Sequence, residues 1–332
     1  MHTRTLGRTG RTVSVIGLGT WQLGADWGDV SEADATAVLD AAVQSGVTFF
    51  DTADVYGDGR SESIIGRYLA DNPSIDITVA TKMGRREEQD PANFTLGKFR
   101  EWTDRSRRNL GVDTLDLVQL HCPPTPVFSN DAVYDALDTL VEEGAIANYG
   151  VSVETVDEAL AAIARPGTAS VQIILNAFRL KPLDAVLPAA KEAGVGIIAR
   201  VPLASGLLSG RYTTETTFAE NDHRTFNRGG EAFDVGETFS GVDFEAGVAA
   251  AQEFAALIAG EPAASGYSTA QVALAWVAQL DGVSSVIPGA RNPEQAQSNA
   301  AAGELPQLSE GFTAGVRDIY DRYFRAAVHP RW

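Results

Sequence analysis

The chain has 332 residues, 44% of them hydrophobic and 21% charged, with 44 acidic against 26 basic side chains and a formal net charge of −18. That length and composition suffice for a large buried core, while the acidic excess speaks against nucleic acid or an anionic membrane, both of which repel such a surface. One cysteine, Cys122, excludes a disulfide within the chain and fits a reducing, cytoplasmic setting.

The opening Met1-His2-Thr3-Arg4 has no apolar leader, and no run reaches membrane-spanning length, which agrees with a cytoplasmic location. The histidines (His2, His121, His223, His329) are scattered, with no metal-ligand spacing among them or to Cys122, so no metal is expected.

In chain order, residues 3–13 place Gly7 and Gly10 between polar, β-tolerant residues and read as a short hairpin. Val13–Gly19 reads as the first core strand. Ser31 and Asp34 look like a helix cap, after which Ala35, Val38, Leu39, Ala42 and Val43 keep one apolar face until Gly46. A strand, Val47–Phe50, then ends in Asp51, with Tyr56 close behind it.

The alternation repeats: a helix near 61–70, a strand ending in Lys82, a helix near 95–110, and a strand ending in His121. A helix near 130–143 leads to a strand ending at Ser152. One near 155–164 leads to the strand Ser170–Asn176, and one near 182–193 to the strand Gly196–Arg200. A Gly- and Thr-rich loop, about 203–242, precedes helices near 243–259 and 268–280, the eighth strand Ser284–Pro288, and a last helix near 307–325. Eight apolar runs alternating with helices, without a linker, predict a (β/α)8 TIM barrel: one domain over residues 1–332 with an N-terminal β-hairpin and an extra C-terminal helix. In such a barrel the polar strand ends Asp51, Lys82, His121, Ser152, Asn176 and Arg200 line one mouth, where chemistry is done.

Asp51 keeps Lys82 charged, Lys82 in turn favours ionisation of the Tyr56 phenol, and the phenol serves as general acid to a developing alkoxide. His121 donates a hydrogen bond to the same oxygen. No nucleophilic serine or cysteine belongs to the set, so the expected reaction is carbonyl reduction, with a hydride drawn from a cofactor. Singly, each residue has a plain structural reading: Asp51 as a turn cap, Lys82 as a surface cation, Tyr56 as a core aromatic, His121 as a loop histidine and Arg291 as a solvated helix-start residue. Trp21 and Trp27 fit either core or pocket rim. Gly17-Leu18-Gly19 imitates a dinucleotide fingerprint, but its third glycine is displaced to Gly24 and no helix opens there.

Four stretches together make the chain resemble an aldo-keto reductase over nearly its full length: Gly46–Gly57, Thr81-Lys82, Leu110–His121 and Ile287–Arg291. It is most similar to the bacterial branch that also resembles potassium-channel β subunits. The resemblance implies NADPH/NADP as cofactor, a small carbonyl substrate, and a catalytic tetrad falling on Asp51, Tyr56, Lys82 and His121. It puts Thr20 and Trp21 beside the cofactor ribose, and Ser152 and Gln172 at the nicotinamide amide, with Val153 replacing the usual asparagine. Pro202, Leu203, Ala204, Ser205 and Gly206 match the pyrophosphate loop, with Arg211 reaching the phosphates. Gly289 opens the last motif, where Arg291 meets the 2′-phosphate and Gln295 and Asn299 meet adenosine. Arg200 stands where the family usually stacks an aromatic on the nicotinamide; its charge is expected to disfavour the cationic, oxidised ring. Two other readings are a cofactor-sensing subunit with little turnover and an aldolase with Lys82 as Schiff-base lysine, which requires a neutral amine.

Overall fold

Two short strands, Thr3–Thr5 (β1) and Thr12–Ser14 (β2), pair antiparallel and form the expected hairpin. The structure, a computed structural model, describes residues 1–24 and 30–332, so Trp27 lies outside the described residues. The hairpin turn is pinned by arginine: Arg8 donates to the carbonyls of Arg165, Pro166, Thr168 and Ala193, which lie where two barrel strands begin. Gly7, at φ +46°, presses so close that a Cβ there would lie 2.0 Å from the amide nitrogen of Gly196. No other residue type fits that contact.

Eight parallel strands follow in sequence order around one sheet: Leu18–Gly19 (β3), Phe49–Asp51 (β4), Thr78–Met83 (β5), Leu117–His121 (β6), Tyr149–Ser152 (β7), Thr168–Ile174 (β8), Gly196–Arg200 (β9) and Val283–Val286 (β10). The ring closes between first and last, with Gly17 N–H donating to Val286 O at 2.8 Å and Gly19 N–H to Pro288 O at 3.0 Å. The fold is therefore the (β/α)8 barrel. Inside it Leu6 and Val13 of the hairpin meet Phe49, Ala80, Leu117, Ile198 and Ile287 in one apolar plug. Leu6 and Val13 are fully buried, and such burial stabilises by about 1.5–3 kcal/mol per side chain.

The covering helices start and stop where side chains cap them. Ser31 accepts from Asp34 N–H to open Glu32–Gln44 (α1), and Thr155 and Glu158 form a reciprocal capping box on Val156–Ile163 (α5). The remaining alternation stands within a few residues of the expected spans, as Arg60–Asp71 (α2), Leu96–Leu110 (α3), Asp131–Glu142 (α4) and Val186–Ala193 (α6).

Three boundaries differ from the sequence expectation. The apolar run Val13–Gly19 is two elements, since Val13 and Ser14 belong to the hairpin and only Leu18–Gly19 joins the barrel. The sixth expected strand begins at Thr168 and ends at Ile174, leaving Asn176 in the following turn, and the eighth runs Val283–Val286. A helix not foreseen, Pro293–Ala301, follows β10. The 203–242 loop is built of short turns, among them Ala204–Ser209, His223–Phe226, Val235–Glu237 and Phe239–Gly241, and buries Leu207, Leu208, His223 and Phe239.

Candidate active site

The ends of β4 and β5 bring a carboxylate and an ammonium together inside the barrel mouth. Lys82 Nζ donates to Asp51 Oδ1 at 2.5 Å and to the Thr52 carbonyl at 2.8 Å, and both charged side chains are almost wholly buried. Asp51 Oδ2 accepts from Gln119 Nε2 at 3.1 Å and Gln172 Nε2 at 2.7 Å, so the pair is hydrogen-bonded on every side that water has left. Lys82 stays charged, its pKa raised chiefly by Asp51 against the opposing pull of burial. Tyr56 OH lies 3.4 Å from Lys82 Nζ. The Tyr56 ring meets His121 edge-on at 6.0 Å and stacks on Trp21 at 6.2 Å.

The sequence expectation was that Lys82 makes this phenol more acidic. Lys82 does pull that way, but burial outweighs it, with Asp51 and Glu237 adding to the upward shift. The phenol therefore keeps its proton at neutral pH and remains a donor. His121 is held neutral: burial, then Arg85, Lys82 and Arg200, push its pKa well below the ordinary value.

Arg200, at the end of β9, lines the cleft yet is 6% exposed. Its guanidinium pairs with the carboxylate of Glu237 from the long loop and donates to Val153 O at 3.1 Å. Glu237 was not singled out in the sequence. Arg85 and Glu154, also missed, pair at 3.2 Å beside it, and Arg85 Nε donates to His121 O at 3.1 Å. Arg179 donates to the Glu154 carbonyl at 2.6 Å.

From Tyr56 a cleft of about 580 Å³ runs to Arg211, Arg291 and Gln295. Thr20, Trp21, Ser152, Gln172, Pro202, Leu203, Ser205, Gly206 and Gly289 line it as well. Ala204 does not: it is fully buried behind the loop. Asn299, half-buried, does not line it either and donates to Gly289 O at 3.1 Å. Gln22, Tyr212, His223, Arg224 and Phe233 line the cleft without having been foreseen. Two guanidiniums at the far end of a cleft in a strongly acidic chain suit a phosphate. Along the same wall Gln22 Oε1 is buried with no hydrogen-bond partner. Gly289 opens beside it, where a Cβ would come within 2.3 Å of Gln22. The guanidiniums fit a phosphate-bearing ligand, and the unmatched Gln22 oxygen offers it an acceptor.

One buried acid sits outside this chemistry. Asp54 is fully buried, neither carboxylate oxygen has a partner, and its pKa is pushed up to about 7 by burial and by Glu62, against Arg86 and Arg105. A folded-state pKa above the unfolded one means that stability falls as pH rises from about 4 through 7. Asp54→Asn is thus expected to raise stability at pH 8 by on the order of 2–4 kcal/mol and to change it little at pH 4. Urea melts at the two pH values check this; equal effects at both would remove the titration.

A profile of the Aldo/keto reductase family matches residues 15–321. The aldo-keto reductase YhdN of Bacillus subtilis is 28% identical over 327 residues, covering 97% of this chain and 92% of that protein. The structure of the glycerol dehydrogenase AKR11B4 from Gluconobacter oxydans superposes with a TM-score of 0.76 at 29% identity, covering 97% and 96% of the two chains. A Klebsiella pneumoniae aldo-keto reductase crystallised in complex with NADPH shares the fold at a TM-score of 0.70 and 23% identity, covering 96% of each chain.

Proposed function

Since the chain belongs to the aldo/keto reductase family, we propose that this oxidoreductase uses NADPH to reduce an aldehyde or ketone, with Tyr56 as general acid. The observation that carries the reading is the Tyr56 phenol at 3.4 Å from a buried ammonium, itself tied to Asp51, at the mouth of the barrel. Bound NADPH supplies the hydride to the carbonyl carbon. Tyr56 gives its proton to the carbonyl oxygen as negative charge builds there, and Lys82 steadies the phenolate left behind. Neutral His121 orients the same oxygen. Arg211 and Arg291 would hold phosphate at the far end of the cleft, while Ser152 and Gln172 would serve the nicotinamide amide.

Lys82 is poorly suited to a Schiff base: its ammonium already donates to Asp51, Thr52 and Tyr56 and has no free electron pair. Fluorescence titration with NADPH, followed by its oxidation against a panel of aldehydes and ketones, tests the reading. Saturable binding and carbonyl-dependent oxidation are expected. Binding with no oxidation by any carbonyl points to a cofactor sensor, and no binding at all sinks the assignment.

A further inference from the structure

We propose that Glu237 is the residue that sets how strongly the cleft discriminates between the oxidised and reduced forms of its cofactor. This rests on the NADP(H) reading above. Arg200, taken alone, places a fixed positive charge against the inner end of the cleft, beside Ser152 and Gln172. Such a charge penalises an oxidised nicotinamide, which is cationic, and leaves the neutral reduced ring unaffected. The structure supplies a counter-ion. The Glu237 carboxylate pairs with Arg200, and both side chains are largely shielded, at 16% and 8% exposure. The low local dielectric strengthens whichever charge is left uncompensated.

Three guanidiniums, of Arg85, Arg179 and Arg200, face three acidic side chains, of Glu154, Asp234 and Glu237, and burial together with Asp234 pushes the Glu154 carboxyl up to about 7, against Arg200 and Arg85. Among these carboxylates, Glu237 is the one that ion-pairs with Arg200, while Glu154 pairs with Arg85.

Glu237 is also held in place. Ser205 Oγ donates to the Glu237 carbonyl at 2.8 Å and accepts from Phe239 N–H at 3.0 Å. Asn176 Nδ2 bridges Val201 O and Ser240 Oγ at 2.8 and 2.6 Å. Val201, Ala204, Ser205, Phe239 and Ser240 all have φ between +47° and +59°, strain that persists only where surrounding contacts fix the chain. The carboxylate is a built part of the cleft wall.

The test is the ratio Kd(NADP+)/Kd(NADPH), measured by isothermal titration calorimetry on wild type, Glu237→Gln, Arg200→Met and the double variant. Glu237→Gln leaves Arg200 unopposed and is expected to raise the ratio by on the order of tenfold or more. Arg200→Met leaves the carboxylate alone and lowers the ratio; the double variant returns it to near the wild-type value. Where one single variant does not fold, the other reads the same quantity with opposite sign. A ratio unmoved in the folded variants overturns the inference while leaving the cofactor reading intact. Wild-type protein that binds neither form overturns both.

Discussion

Tyr56→Phe is expected to lower kcat for carbonyl reduction by roughly 10²–10⁴-fold, the contribution typical of a positioned proton donor. The ring is retained, so its stacking on Trp21 and its edge contact with His121 survive. Cofactor affinity should accordingly stay within about threefold of wild type, well under the 1.4 kcal/mol that a tenfold change represents. Lys82 keeps its bonds to Asp51 and Thr52, so the fold has no reason to suffer. Stopped-flow oxidation of pre-bound NADPH isolates the chemical step. A variant that turns over at more than a tenth of the wild-type rate would show that another group delivers the proton.

Asp51→Ala addresses stability. It strips the buried ammonium of its counter-charge and leaves the amides of Gln119 and Gln172 without their shared acceptor. Removing one partner of a buried ion pair costs about 3–5 kcal/mol, because the remaining charge is neither solvated nor paired. The loss should appear as a lower urea midpoint with an unchanged slope. The double change Asp51→Ala/Lys82→Met removes the orphaned charge too and should recover most of the loss. A single variant within about 1 kcal/mol of wild type would mean that water reaches Lys82 after all, since well-solvated pairs are worth no more than that.

The sequence exposed much of the barrel mouth because polar groups at the ends of apolar runs stand out: Asp51, His121, Ser152 and Arg200 each close a strand in which every residue is buried, and Lys82 stands one residue before the end of another. Gln119 offered the same kind of signal, a polar side chain inside an otherwise apolar strand, and could have been found. Asn292-Pro293 before Pro293–Ala301 was likewise a legible helix start, with a capping asparagine and a proline in the first turn. Glu237 was out of reach. It lies 37 positions from Arg200, in a stretch of short turns with no periodicity, and only tertiary packing brings the two together. The direction of the Tyr56 shift was equally hidden: Lys82 could be inferred as a neighbour, but the opposing effect of burial depends on how completely the mouth closes around the phenol.

The hairpin, with Leu6 and Val13 driven into the barrel and Gly7 jammed against Gly196, turns a tube into a cul-de-sac. What enters or leaves the catalytic end therefore passes the mouth lined by Tyr56, Trp21 and Arg200 and not the end that the hairpin fills.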